Sequence, residues 1–370
     1  MRLFPTSVEG LFPRLPCEGK VARRGCLRAR CSVGRVSARA PYEGCPRAAL
    51  PIQANLTCGA VPAAVRPSSI NSRNRLPLKD MLCPIAPFTS WMRFTAVPFT
   101  GNPCAVVTDA DGIEPADMLR IARETNAPET AFVLASTRRT CVSAISCRAG
   151  KSPFAGHPTI ATGHRLRELG VLKPGTARFE FAIGVLPVDI RPDRVIMTQP
   201  PAVPDTCADA GTTAQALGLQ ASDLREGLPC QLMRGGVSFL MVPVRELAAL
   251  RRINMDRPAL KAVLAPLGVS AAYVFAPEGV EPETDVHARL IDPDNAGEDP
   301  FTGSAAGCMA SYMHAHGLCS GTRIRLEQGH ILDRPGTGEL ELILAPDSGK
   351  LDAVRLGGTA VSSASGTLRW

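Results

Sequence analysis

The sequence predicts an α+β protein made of two similar α/β rolls, in each of which a β-sheet wraps around a central apolar helix. Residues 154–172 and 301–319 align as variants of one element. Each has a glycine beside a small or polar residue, then a mostly apolar helix, and stops at another glycine. A helix with no polar face must be buried on most sides. Because strand-like runs surround both segments in a similar order, a sheet rolled around each helix is the simplest arrangement.

The elements of the first roll follow from the spacing of its apolar residues. Ordered structure is expected to begin near Phe88, and Pro115 suits the first turn of an amphipathic helix. Short runs rich in β-branched residues predict the strands. In chain order we expect strand 104–108, helix 114–125, strands 131–135 and 141–147, the apolar helix after His157, and strands 177–183, 185–190 and 195–199.

The second roll repeats this order after the linker Pro200–Pro201. Its most apolar strand-like run is 237–244, and its apolar helix follows a loop at 292–303. The other expected elements are helical runs at 213–217, 221–226 and 257–267, and strands at 272–275, 287–291, 323–327, 340–345 and 353–356.

The N-terminal quarter differs in composition from the rest of the chain. Residues 1–90 hold 14 of the 41 Lys and Arg residues, 4 of the 34 Asp and Glu residues and 6 of the 13 cysteines. Three interpretations stay open: a disordered extension, an Arg-rich organelle transit peptide, or residues upstream of the true start. We therefore expect a basic extension at 1–85, the first roll at 86–200, the second roll at 201–357 and a C-terminal tail at 358–370.

Composition excludes several classes of function. Outside the N-terminal quarter there are 27 basic and 30 acidic residues, so the net charge of +7 gives no reason to expect a nucleic-acid partner. No apolar run reaches the roughly 18 residues that a membrane span needs, so no membrane partner is expected. The cysteines are odd in number and form no CxxC pair, and no secretory signal opens the chain, which predicts free thiols in the reducing cytoplasm.

No sequence motif for a cofactor or a metal is present. There is no GxGxxG loop after a strand, no phosphate-binding P-loop and no lysine in an evident Schiff-base setting. A metal site at His314 and His316 is disfavoured, because residues two apart on a helix point about 200° away from each other. We predict that the protein uses no cofactor and no metal.

The starts of the two apolar helices form the candidate site. A helix N-terminus presents unpaired backbone N–H groups and a partial positive charge, so it favours an anionic group such as a carboxylate. Gly156 and His157 open the first helix, where the protonated form of a histidine is disfavoured. Residues 298–304 (EDPFTGS) place two carboxylates, a proline-fixed turn and small residues before the second helix. Two such starts predict one cleft that binds a small carboxylate.

Glu129 is the candidate acid/base residue. It lies in the segment Pro128-Glu129-Thr130, which directly precedes the apolar strand 131–135. A carboxylate at the mouth of a strand can be partly desolvated, which raises its pKa toward the range useful for proton transfer. The alternative, a solvated loop glutamate, is the more common situation for such a residue.

Five short motifs follow one another between residues 86 and 357. They are FTGNPCAVV (99–107), NAPETAFV (126–133), FAGHPTIATGH (154–164), EDPFTGSAAG (298–307) and EQG (327–329). In order and approximate spacing they resemble the PhzF-like family of phenazine biosynthesis. The resemblance implies a fold like that of diaminopimelate epimerase, with two α/β rolls around central helices, and it implies a homodimer.

The resemblance also implies cofactor-free proton transfer in the cleft between the rolls. The best-known member of the family isomerises trans-2,3-dihydro-3-hydroxyanthranilate. By motif, Glu129 would be the general acid/base that moves a proton between ring carbons. Asp299 and His157 would bind polar groups of the substrate and assist the transfer. The residues that would hold the substrate carboxylate are Gly156, Gly303 and Ser304.

The chain departs from the family pattern at several positions. Pro128 stands where the family often has serine, so one hydrogen bond to substrate is expected to be missing. Phe301 replaces an alanine and is expected to narrow the cleft or make it more apolar. Leu332 and Asp333 replace a Met-Gly pair after the EQG motif.

Two alternatives stay open beside the isomerase. A two-thiol epimerase would need a cysteine at each helix start, where this chain has His157 and Ser304, and Cys308 lies a turn inside its helix. A protein that only binds a small molecule would need no acid/base residue. The sequence leaves the substrate itself undetermined.

Overall fold

The computed structural model describes the chain in six stretches, which are 85–135, 141–147, 150–151, 156–181, 184–295 and 298–370. The side chains of residues 141–147, 150–151 and 156–157 lie outside this description. No helix in the described stretches is long and apolar enough to span a lipid bilayer.

The described residues form two successive series of strands and helices. The first series contains β1 (Ile85–Arg93), β2 (Asn102–Val107), α1 (Pro115–Glu124), β3 (Glu129–Leu134), β4 (Cys141–Cys147), β5 (Gly150–Lys151), α2 (Gly156–Glu168), β6 (Gly175–Phe181), β7 (Gly184–Ile190), β8 (Val195–Gln199) and β9 (Val203–Ala208). The second contains α3 (Ala210–Ala216), β10 (Cys230–Arg234), β11 (Phe239–Pro243), α4 (Leu247–Arg252), α5 (Arg257–Leu264), β12 (Ala272–Ala276), β13 (Val286–Ile291), α6 (Gly303–Ala315), β14 (Arg323–Gln328), β15 (Gly336–Leu344), β16 (Leu351–Gly358) and β17 (Ala360–Arg369).

The strand pairings repeat from one series to the other. From β1 to β8, leaving out the short β5 that pairs with β4, neighbouring strands run antiparallel, parallel, antiparallel, parallel, antiparallel and antiparallel. From β10 to β16 the same six relations occur in the same order. The antiparallel pair β8–β16 joins the two halves. This repeat confirms the prediction of two related α/β rolls.

A buried helix fills each half. Parallel neighbours need a crossover connection, and α2 and α6 lie in the crossovers that lead to β6 and β14. Residues 158–164 of α2 and 305–313 of α6 are buried without interruption, and the two helices pack against each other. Helices that are apolar nearly all round therefore lie where the sequence predicted, inside the sheets.

His164 of α2 links this helix to the sheet. Its ring nitrogen Nε2 lies 3.2 Å from the carbonyl oxygen of Gly358, at the end of β16. Burial lowers the pKa of His164 to about 4. The second histidine of the FAGHPTIATGH motif is therefore a neutral core residue.

The C-terminal segment, expected to be a tail, forms the strand β17. β17 pairs antiparallel with β1 from Ala360 to Arg369, and β9 pairs in the same way with β10. The last strand of each series thus pairs with the first strand of the other series. Most residues of β17 are exposed or half-buried, so its apolar pattern is too weak to reveal a strand. The short strand β10 and the helix α4 were also missed.

Phe301 lies in the core and does not line a cleft, which contradicts the expectation from the sequence. Its side chain is fully buried, and its ring stacks on that of Phe94 with the centroids 3.8 Å apart. A Cβ at Gly338 would come within 2.9 Å of this ring. The ring therefore occupies a space that a glycine in β15 leaves open.

We expect Phe301→Ala to lower the free energy of unfolding by about 3–5 kcal/mol, because it leaves a cavity beneath Phe94. The matched control is Phe99→Ala, since the Phe99 side chain is 69% exposed. Unfolding in urea would measure both variants. A loss for Phe301→Ala no larger than that of the control would contradict this burial.

Candidate active site

Glu129 is the first residue of β3 and is mostly buried, with 14% of its side chain exposed. In the sheet it is paired with Cys104 of β2. Its Oε2 atom lies 3.7 Å from Nη1 of Arg93. An opposite charge at this distance favours the ionised form of a carboxylate, an effect that opposes the desolvation considered from the sequence. The structure therefore places the Glu129 carboxyl group beside a buried cation.

Arg93, at the end of β1, is a site residue that sequence reasoning missed. Its side chain is completely buried. Nε donates to the carbonyl oxygen of Asn102 at 3.0 Å, and Nη2 donates to that of Pro103 at 2.9 Å. A lone arginine carries no local sequence signal of burial, and its ion-pair partner lies on a strand more than thirty residues later.

Asn102 of β2 connects the first roll to the segment before α6 in the second roll. Its buried Nδ2 donates to Oδ1 of Asp299 at 2.5 Å and to the carbonyl oxygen of Phe301 at 2.6 Å. The preceding Gly101 has a φ of 60°, and a Cβ there would lie 2.2 Å from the carbonyl oxygen of Arg93. The FTGNP motif thus requires its glycine for the turn and uses its asparagine to connect residues 99–103 to the segment before α6.

Asp299 is held by contacts from three directions. Besides the Asn102 contact, its Oδ2 accepts a hydrogen bond of 2.6 Å from Thr302 Oγ1. The carbonyl oxygen of Asp299 accepts a hydrogen bond of 2.7 Å from Gln328. Since both carboxylate oxygens are engaged, the orientation of this group is set before any substrate binds.

The EQG motif supports the loop that carries Asp299. Oε1 of Gln328 accepts hydrogen bonds from the backbone N–H of Thr302 and from the hydroxyl of Tyr273. Gly329 has a φ of 90°, and a Cβ there would lie 2.7 Å from the carbonyl oxygen of Pro300. The motif therefore holds the backbone of residues 299–302 in position before α6.

Gly303 and Ser304 are the first two residues of α6. Ser304 lines a small cavity of about 20 Å³ together with Gly235 and Val237. Gly156 and His157 hold the equivalent positions in α2, which packs on α6. The side chain of His157 lies outside the described residues. The structure thus brings Asp299, Gly303 and Ser304 together in one segment and connects that segment to Arg93 and Glu129 through Asn102.

A cavity of about 380 Å³ lies apart from these residues, over β14 to β16. None of the predicted site residues lines it. Its arginines are already paired, Arg194 with Glu339 at 3.1 Å and Arg325 with Glu283. Because no unpaired cation faces this cavity from the residues described, it is a poor match to a small carboxylate.

A cluster of His287, Glu327 and His330 offers three metal-ligand atoms within 4.8 Å of one another. Glu327 accepts hydrogen bonds from Nδ1 of His287 at 2.7 Å and from the N–H groups of Val280 and Glu281. Burial acts to raise the pKa of Glu327, but these hydrogen bonds and the nearby His330 outweigh it and lower the pKa to about 2.

The geometry of this cluster fits a structural hydrogen-bond network centred on Glu327 better than a metal site. A metal ligated by Nδ1 of His287 would leave Nε2 as the protonated ring nitrogen, and this atom is buried with no partner among the described residues. Metal-bound histidines nearly always donate that second N–H. Without a metal, Nε2 is only an unused acceptor.

Comparison with known proteins gives a consistent result. Residues 92–366 match the PhzC-PhzF family, described as phenazine biosynthesis-like protein. An uncharacterized isomerase from Bacillus subtilis is 31% identical over 278 residues, which cover 73% of this chain and 94% of that protein. The trans-2,3-dihydro-3-hydroxyanthranilate isomerase of Pseudomonas chlororaphis is 29% identical over 289 residues, covering 74% of this chain and 96% of the relative.

A solved structure shows the same fold. The crystal structure of a phenazine biosynthesis protein of the PhzF family from Bacillus anthracis superposes with a TM-score of 0.72 at 25% identity. The match covers 78% of this chain and all of that one. The likeness therefore extends over both rolls.

We expect Asn102→Asp to destabilise the protein by about 3 kcal/mol near pH 7, because it places a second carboxylate beside Asp299. The loss should shrink near pH 5, where two adjacent carboxylates share a proton. Urea unfolding at both pH values measures this, with the exposed Asn254→Asp as the control. Equal stability of the two variants would show that the Asn102 bridge carries little energy.

Glu327→Gln tests how much the ionised Glu327 carboxylate and its hydrogen bonds stabilise the protein. The pKa of Glu327 falls from 4.5 to about 2 on folding, so its contribution is present above the unfolded value and is lost as the pH drops toward the folded one. We expect the variant to be less stable by about 3 kcal/mol above about pH 5, and the difference to narrow in acid.

The control for this pH series is Glu283→Gln, because the Glu283 side chain is 82% exposed. Urea unfolding of wild type and both variants, repeated from neutral pH into acid, supplies the measurement. A difference in free energy of unfolding between wild type and Glu327→Gln that did not change with pH would contradict the lowered pKa of folded Glu327.

Proposed function

Because the chain belongs to the phenazine biosynthesis-like protein family and matches relatives named as isomerases, we propose a specific activity: cofactor-independent isomerisation of a small cyclic or unsaturated carboxylate, by general acid/base proton transfer. The observation that carries this proposal is the mostly buried Glu129 carboxylate beside the Arg93 cation. Such a carboxylate is available as a base in the resting enzyme.

In the proposed reaction the Glu129 carboxylate removes a proton from a substrate carbon next to an unsaturated system. The electron pair left behind moves into the conjugated carboxylate, so negative charge develops on its oxygens. The N–H groups at the starts of α2 and α6 stabilise that charge. Protonated Glu129 then returns the proton to a different carbon, and the enzyme ends the cycle unchanged.

Asp299 has a binding role in this proposal. Its oxygens are oriented by Asn102 and Thr302, and a fixed carboxylate is a strong acceptor for a hydroxyl or amino group of a substrate. His157, at the start of α2, is proposed to assist the transfer. Gly156, Gly303 and Ser304 are proposed to contact the substrate carboxylate.

The substrate class follows from the same reasoning. A carbon acid is acidic enough for a carboxylate base only when its anion is delocalised, which favours a ring or chain with conjugated double bonds next to the carboxylate. The relative from Pseudomonas chlororaphis is named for such a compound, a dihydro-hydroxyanthranilate. We propose that the substrate of this chain is of that kind.

The two-thiol epimerase is the weaker candidate. It needs two thiols that ionise readily at the helix starts. Burial raises the pKa of Cys308 to about 12, and Cys308 lies inside α6. Burial also raises the pKa of Cys104 to about 11, with the Arg93 cation acting in the opposite direction. Both thiols therefore stay protonated near neutral pH and do not supply the two ionised thiols that the mechanism needs.

The family also suggests domain boundaries, an oligomeric state and a cellular location for this chain. We propose rolls at 86–200 and 201–357, a homodimer, and a cytoplasmic location. The last is supported by the free cysteines among the described residues, which are Cys104, Cys207, Cys230, Cys308 and Cys319.

The proposal is tested by proton exchange in D₂O with the full chain, dihydrohydroxyanthranilate and a panel of unsaturated carboxylates. We expect deuterium incorporation or isomerisation by the wild type and a loss of at least about 100-fold in Glu129→Gln, because the acid/base group is removed. Asp299→Asn should weaken binding more than exchange. The exposed Glu114→Gln is the matched control.

Binding of a panel member by the wild type without any exchange would contradict the isomerase proposal and favour the binding protein. Full exchange by Glu129→Gln would place the acid/base role on another residue.

A further inference from the structure

The Arg93 side chain is a buried cation with a single counter-charge among the described residues. Two of its nitrogens donate to the carbonyl oxygens of Asn102 and Pro103, which are neutral acceptors. The third, Nη1, is buried, forms no hydrogen bond in the described part of the chain, and lies 3.7 Å from Oε2 of Glu129. A buried cation of this kind is tolerated only when an anion balances it.

We propose that Arg93 is the positioning residue of Glu129: its guanidinium keeps that carboxylate ionised and oriented, so that Glu129 begins each turnover as a base. This inference rests on the proposed acid/base role of Glu129. Arg93 acts through Glu129, and the structure places no substrate contact on it.

The geometry explains why the residue is an arginine. A guanidinium is planar and presents its donors in a fixed fork. Two donors are fixed by consecutive carbonyl groups at the start of β2, so the third can point only toward β3. A lysine would keep the charge but could not reproduce these three directions.

Two further titratable groups on the elements packed against Glu129 are Cys104 and Arg123. On β2, burial raises the pKa of the Cys104 thiol to about 11, so this neighbour is neutral. On α1, which packs on β3, Arg123 is exposed to solvent. The side chains of β4 and of His157 lie outside the described residues.

Arg93→Met tests the inference through the ionisation of Glu129 itself. The full chain, labelled with ¹³C at glutamate carboxyl groups, would be titrated by NMR, and Glu129→Gln would identify the Glu129 signal. We expect the midpoint of this signal to rise by about 1–3 pH units in Arg93→Met, because the neighbouring cation is gone. The acid limb of the exchange rate should move with it. Arg120→Met, at a side chain that is 77% exposed, is the control.

Arg93→Lys separates charge from orientation. We expect the titration midpoint of Glu129 to stay near that of the wild type, because the charge is kept. The exchange rate should fall by at least about tenfold, because the Glu129 carboxylate is less well oriented. An unchanged midpoint in folded Arg93→Met would overturn the inference.

If Arg93→Met does not fold, the double variant Arg93→Met with Glu129→Gln decides the question. Removing both charges should restore much of the lost stability, because the unbalanced carboxylate disappears. No recovery would overturn the inference. A shifted midpoint with no exchange by the wild type would support the inference and defeat the proposed acid/base function, so the two failures are distinguishable.

Discussion

The structure around the candidate site depends on satisfying a small set of buried polar groups between β1, β2 and the segment before α6. A buried polar group is destabilising unless it is hydrogen-bonded, and a buried charge needs a counter-charge as well. Arg93 uses the carbonyl groups of β2 and the carboxylate of Glu129, and Asn102 uses Asp299 and the carbonyl of Phe301. Because these partners belong to both rolls, the site and the packing of the rolls form one network.

The parts of the fold that were predictable from the sequence are those with a strong apolar pattern. The two central helices are apolar nearly all round, so their burial follows from composition. β17 could not be predicted in this way, because backbone pairing to β1 defines it and most of its side chains are exposed. Backbone hydrogen bonds between distant segments leave no periodic signal in the side chains.

The same distinction applies to the site. Glu129 and Asp299 stand in dense local motifs, so they could be selected as candidates without a structure. Arg93 could not, because its significance comes from burial and from a partner on another strand. Phe301 was interpreted as a cleft residue for a related reason: its neighbour Phe94 is distant in sequence, and only the fold places the two rings together.

A carboxylate base that works on a carboxylate substrate faces an electrostatic difficulty, since the two anions repel each other. In the proposed reaction Arg93 reduces this repulsion, because an ion pair between Arg93 and Glu129 carries no net charge. The positive ends of α2 and α6 would then attract the carboxylate of the proposed substrate. A protein that only bound such an anion would gain nothing from a buried carboxylate nearby and could omit it. The presence of a mostly buried Glu129 beside a buried cation therefore supports the proposed catalytic role over a binding role alone.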